Sequence, residues 1–146
     1  MPKGYSKLGF RKITNRKNDP RITSAKKVHR DNHYKKKGLS FELFLELSQK
    51  PCFYCGTEKC SHFNTFESQR KLGVKVSDYA VQNGNFYYNG IDKINHEEIY
   101  REDNIVTCCK KCNWMKQRLF QNEFLEHIKI IYEFLHLDSM DFKHDK

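Results

Sequence analysis

The sequence predicts a small α+β domain with flanking helices and a basic N-terminal arm. Three observations predict it. Cysteines recur as two C-x2-C pairs, Cys52/Cys55 and Cys109/Cys112. Between the pairs, "DYAVQNGNFYY" and "IVTCC" are short runs of β-branched and aromatic residues, which read as strands. After them, Phe120, Phe124, Ile128, Ile131 and Leu135 recur at steps of three and four, the period of one helix face.

The arm is defined by charge. Residues 1–37 hold 13 Lys/Arg against Asp19 and Asp31, a balance of +11, while residues 38–146 balance at −2. The sequence therefore divides into an arm, 1–37, and a domain, 38–146. Few apolar residues and no sustained period predict an extended or partly ordered arm. A segment of this charge binds polyanions by releasing their counterions; the alternative is a solvated tail. Arg11, Lys12, Arg16, Lys17, Lys26, Lys27, Lys35, Lys36 and Lys37 are its candidate phosphate contacts. Tyr5, Phe10, His29, His33 and Tyr34 lie among them and can stack on bases, which favours nucleic acid as the partner.

Within the domain, "LSFELFLELSQKP" reads as a helix capped by Ser40, striped by Phe41, Phe44 and Leu45, and stopped by Pro51. "CFYCG" is a tight cysteine turn, and residues 56–78 read as a polar loop. Asn83-Gly84 predicts a type I′ hairpin turn between Tyr79/Val81 and Phe86/Tyr88. "HEEIYREDN" is a polar loop, "IVTCC" a strand, and helix follows from about Lys110, with a break near Gln121-Asn122.

Charged residues make up 31% of the 146-residue chain and mean hydropathy is −0.86, so the core is modest and the 14% aromatics supply much of its burial. No apolar run reaches the ~20 residues of a membrane span, and "MPKGYSKLGF" has no apolar signal core. The expectation is a soluble, intracellular protein that is not secreted.

Paired C-x2-C motifs suit one tetrahedral Zn²⁺ held by the thiolates of Cys52, Cys55, Cys109 and Cys112. A disulfide framework and an iron–sulfur cluster are the rival readings. A metal would add folding energy that so small a core lacks. Cys108, beside a ligand at a strand end, should point the other way and pack as a small apolar residue. Cys60, two residues before His62, is either a free thiol or half of a second metal site.

The stretch "GIDKINHEEIYREDNIVTCCKKCNWMK" resembles the HNH, or ββα-metal, endonucleases, especially zinc-bearing phage and viral members. In those proteins a C-x2-C pair precedes a "DH" strand, an Asn-bearing loop and a "CxxCN" helix. The resemblance runs from about Leu39 to Leu137 and leaves out the arm and residues 56–78. It implies that Asp92 binds a catalytic Mg²⁺ or Mn²⁺, that Asn113 completes that site, and that Asn104 holds the loop orienting the strand. Lys93 stands where the family has its general-base histidine, and His96 is the nearest substitute. One carboxylate and one amide oxygen make a suitable open Mg²⁺ site, whereas an ordinary lysine is a poor base near neutral pH. Lys110, Lys111, Lys116 and Arg118 line the helix and could bind phosphates; a solvated face is the other reading. The implied function is hydrolysis of nucleic-acid phosphodiesters, DNA ahead of RNA. The alternative is a non-catalytic zinc-containing nucleic-acid-binding protein that retains the fold.

Overall fold

A computed structural model describes residues 19–34 and 38–140. The first element is a helix, α1 (Pro20–Val28), running on into a π-helical turn, His29–Tyr34. Asp19 caps α1 by accepting from the Arg21 backbone N–H at 2.9 Å, and Pro20 sits in its first turn, where a missing N–H costs nothing. Ile22, Ala25 and Val28, spaced three apart, are buried in the main core. Pro20–Tyr34 is therefore helical, with Ile22, Ala25 and Val28 packed in the core, where the charge pattern predicts an extended or partly ordered arm. The apolar stripe is one residue wide and interrupted by Lys26 and Lys27, so its period is lost among the charges.

Helix α2 (Phe41–Ser48) begins as the sequence predicts, with the Ser40 Oγ accepting from the Leu43 N–H at 3.2 Å. It buries Phe44 against Phe86, ring centroids 6.0 Å apart, and His29 lies against both Phe41 and Phe44. His29 is thus a core residue, its Nε2 bonded to the Leu39 carbonyl, rather than a base-stacking residue of an arm.

Residues 56–78, predicted as loop, contain strand β1 (Ser61–Phe63) and helix α3 (Thr65–Lys71). Asn64 caps α3 through two backbone N–H groups. The predicted hairpin is absent. Asp78–Asn83 forms helix α4, capped by Ser77, and β2 (Phe86–Tyr88) pairs antiparallel with β1 across that insertion. Gly84 serves close approach instead of a turn: a Cβ there would meet the Ala80 carbonyl and the Phe66 ring at 2.6 Å. Its carbonyl accepts from buried Ser24 of α1 at 2.6 Å, and the same hydroxyl accepts from the Thr65 N–H, so one serine joins α1, α3 and the end of α4.

The second sheet positions the site. Strand β3 (Gly90–Lys93) pairs antiparallel with β4 (Ile105–Cys108), Asp92 opposite Val106. Alternation puts Ile91 and Asp92 on opposite faces of this hairpin. One face meets α2, where the Thr107 hydroxyl donates to the Leu47 carbonyl at 2.7 Å. Helix α5 (Lys110–Lys116) packs on β3, completing a ββα unit. Gln117, at φ 49°, breaks the helix before α6 (Gln121–Leu135) begins. The architecture is α+β with two small antiparallel sheets and flanking helices. No helix among the described residues is long and apolar enough to cross a membrane.

Candidate functional site

Two centres are built on α5, one through Cys112 and one through Lys116. The first is sulfur. The Sγ atoms of Cys52, Cys55, Cys109 and Cys112 all lie within 4.8 Å of one another, with Cys55 and Cys109 3.6 Å apart. A tetrahedron with Zn–S bonds of ~2.3 Å has edges of about 3.8 Å, so the cage has the size of a Zn²⁺ site. Local geometry builds it from two turns. The Cys52 N–H donates to the Thr57 carbonyl at 2.8 Å and the Gly56 N–H to the Cys52 carbonyl at 2.9 Å. Gly56 adopts φ 70°, which that turn requires and glycine supplies without strain. The other pair opens α5, where the Cys112 N–H points at the Cys109 sulfur at 3.4 Å.

Buried Asn89 fixes the first turn to the sheet. Its amide donates to the Lys50 and Thr57 carbonyls, each at 3.1 Å, and its oxygen accepts from the Cys60 N–H. Bonds from the Thr57 hydroxyl and N–H draw the exposed Cys55 thiol down to about 6, whereas burial pushes Cys112 upward. Cys108 is buried beside the cage and its thiol is also raised by burial, as a packing residue's should be. Among the described residues, the four cysteines form the one group of three or more His, Cys, Asp or Glu gathered closely enough to share an ion. Cys60 and His62 do not extend it.

The second centre is Asp92. It is buried on β3, and its Oδ2 receives the Tyr54 hydroxyl at 3.2 Å and the Lys116 ammonium at 3.1 Å. Burial raises the Tyr54 phenol, which therefore stays protonated and donates. The Lys116 side chain is 0% exposed and also donates to the Lys93 carbonyl at 2.9 Å. This corrects the expectation that Lys116 meets nucleic acid: it is an internal counter-ion. Cys112 and Lys116 stand one turn apart on α5, so the helix face that gives a thiolate to the cage gives an ammonium to Asp92. That i,i+4 relation to a metal ligand was the available signal for Lys116.

Lys93 points elsewhere. Its ammonium donates to the carbonyls of His96 at 2.6 Å and Glu98 at 2.9 Å, and lies 5.2 Å from the centre of the Tyr100 ring. It fastens the loop after β3. Asn104 fastens the same loop, accepting from the Asn95 N–H and donating to the Asn95 and Ile99 carbonyls, all within 3.0 Å. His96 does not continue the strand face of Asp92. The strand ends at Lys93, and the imidazole packs on Phe120 at 4.6 Å with its Nδ1 buried and without a hydrogen-bond partner. Asn113 is exposed on α5, between the two residues whose side chains reach the centres.

The surface lysines divide similarly. Lys110, Lys111 and Arg118 are exposed along α5 and just past it. Lys26 is exposed 5.7 Å from the Phe41 ring centre, and Lys27 pairs with Asp31. Arg11, Lys12, Arg16, Lys17, Lys35, Lys36 and Lys37 lie outside the described residues, as do Tyr5 and Phe10.

No protein-family model matches the chain. It is 34% identical over 94 residues to uncharacterized protein R423 of Acanthamoeba polyphaga mimivirus. That match takes in 59% of this chain and 13% of the relative, so the chain spans only a small part of that protein's length. Among solved structures, it is similar to the rare-cutting HNH restriction endonuclease PacI at 16% identity and a TM-score of 0.40, covering 94% of this chain and 93% of that one.

Proposed function

We propose that this protein is a zinc-stapled endonuclease of the HNH type, hydrolysing phosphodiester bonds of nucleic acid, DNA ahead of RNA, with a divalent metal at Asp92. One observation carries the reading: a buried carboxylate held at a defined edge of a ββα unit by Lys116 and Tyr54. Among the described residues both partners engage Oδ2, which leaves Oδ1 for an external cation. The Asp92 side chain is 10% exposed. A carboxylate oxygen and the Asn113 amide oxygen are hard donors that suit Mg²⁺ or Mn²⁺, with water and phosphate filling the remaining positions.

The metal, when bound, would polarise the scissile phosphate and stabilise the departing oxygen. Each other part falls to the chain. Lys116 and Tyr54 orient the Asp92 carboxylate, and Asn104 and Lys93 hold the loop that leaves its strand. Lys110, Lys111 and Arg118, exposed on α5 and just past it, offer phosphate contacts. Lys93, tied to two carbonyls, is not the proton acceptor in this reading, and water or hydroxide from solvent takes that part. The likeness to a mimivirus protein supports a phage or viral type. The second reading, a non-catalytic nucleic-acid-binding module, is favoured by one specific observation: Lys93, at the base position, has its ammonium tied to the His96 and Glu98 carbonyls.

Supercoiled plasmid nicking in Mg²⁺ or Mn²⁺ separates the two. The expected result is nicking that is abolished by Asp92→Asn, a change that keeps the shape of the side chain, and reduced by Asn113→Ala. Plasmid that is bound but uncut by the natural protein would leave only the binding module.

A further inference from the structure

Trp114 is 79% exposed on α5, between Asn113 and Met115. An indole left bare on a seven-residue helix adds little to the core, and the chemistry at Asp92 gives it no part. It lines an open groove of about 1240 Å³, together with Met115 of α5 and Phe124 and Ile128 of α6. Half-buried Tyr54 lines the same groove. Its ring meets Phe124 edge-on at 5.3 Å, and its hydroxyl donates to the Asp92 carboxylate at 3.2 Å. One side chain thus belongs both to the groove and to the candidate metal centre.

Charge selects the occupant. Lys110 and Lys111 also line the groove, four residues before Trp114 and Met115, the spacing that puts side chains on one helix face. Among the described residues no Asp or Glu lines it, so the glutamates of α6 are not part of its wall. An aromatic groove with two ammonium groups and no carboxylate suits a ligand that is both flat and anionic.

We propose that this groove receives an unpaired nucleotide of the substrate strand, its base stacked on Trp114 and its phosphates met by Lys110 and Lys111. Resting on the nuclease reading above, this occupant narrows the substrate to nucleic acid with single-stranded character. Within a duplex, neighbours already cover both faces of every base. An exposed indole therefore gains a base only where the strand is unpaired or a base has left the stack. Aromatic platforms set among cations hold single strands in this way, and they tolerate any sequence because every base has a π-face.

Trp114 is the only tryptophan, so its emission reports the groove directly. The test titrates the full, zinc-loaded chain with a short oligothymidylate, with the same strand paired to its complement, and with an abasic strand of equal charge. Mg²⁺ and Mn²⁺ are left out, so that nothing is cut. The single strand should quench the emission in a saturable way and the duplex far less, while the abasic strand binds without quenching. Anisotropy of a labelled strand then reads the variants. Trp114→Ala should weaken single-strand binding about 5–100-fold, the worth of one base–aromatic stack, and duplex binding by less than about twofold. Trp114→Phe should recover most of that loss, and both variants should melt as the natural protein does. A strand that binds with the emission unmoved overturns the proposal. So does an abasic strand that quenches as strongly, or a Trp114→Ala loss that is equal for single strand and duplex. An emission that shifts with protein concentration before any strand is added overturns it too, since a second copy of the chain then covers the groove. A chain that binds no strand at all removes this inference together with the nucleic-acid reading. Plasmid nicking separates the two otherwise: nicking with no quenching leaves the nuclease without the stacking, and quenching with no nicking leaves the stacking on a binding module.

Discussion

Replacing Lys116 by Met keeps a long flexible side chain in place and removes one charge from the middle of the fold. The structure sets the size of the effect. Lys116 is fully buried, its Asp92 partner nearly so, and the ammonium also satisfies the Lys93 carbonyl. Breaking a buried pair by deleting one member leaves an uncompensated charge and typically costs about 3–5 kcal/mol. For a domain of this size that lowers the melting temperature by roughly 10–20 °C. Asp92 can recover part of the loss through its remaining exposure and the Tyr54 hydroxyl, which places the expected value near the lower end. Urea unfolding of the zinc-loaded protein measures it. The cycle with Asp92→Leu sharpens the result: the double variant should be more stable than Lys116→Met alone, because no charge is then stranded. A loss under about 1 kcal/mol for Lys116→Met, the range of surface pairs, would show that water screens this contact and refute the argument from burial.

Removing zinc with a chelator should unfold the protein, as should Cys52→Ser or Cys112→Ser, while Cys108→Ala costs little; circular dichroism and metal analysis decide it. Deleting residues 1–18, which carry six basic and no acidic side chains, should flatten the dependence of nucleic-acid affinity on salt. Deleting 1–37 should instead unfold the protein, because α1 goes with it; an equal melting temperature for the two truncations would contradict the packing of Ile22, Ala25 and Val28. Asn104→Ala removes three hydrogen bonds from the loop after β3 and should cost about 2–4 kcal/mol, read by urea unfolding, with the zinc site unaffected.

What the sequence by itself determined is what local chemistry decides. The C-x2-C spacing brings two thiolates onto one turn whatever surrounds them, so the sulfur cage was legible. Ser40 caps the helix after it because an orphan N–H needs an acceptor within three residues. The β3–loop–β4–α5 order was legible from its motif, and so was the break before α6. Tertiary structure decided the rest, because the deciding partners are far apart in the chain. "DYAVQN" has strand-like residues, but β2 found its partner at β1 across the α3 and α4 insertion, and the Ser77 cap left α4 helical. The first helix hid inside a basic segment because three small contacts with a remote core outweigh its charge pattern. At the candidate site the same reason applies most sharply. Asp92, Lys93 and Lys116 are all charged residues in a polar stretch, and composition cannot rank them. Only folding showed that one lysine is sealed against Asp92 while the other laces a loop, since burial belongs to the packed neighbours of a residue and not to the residue itself.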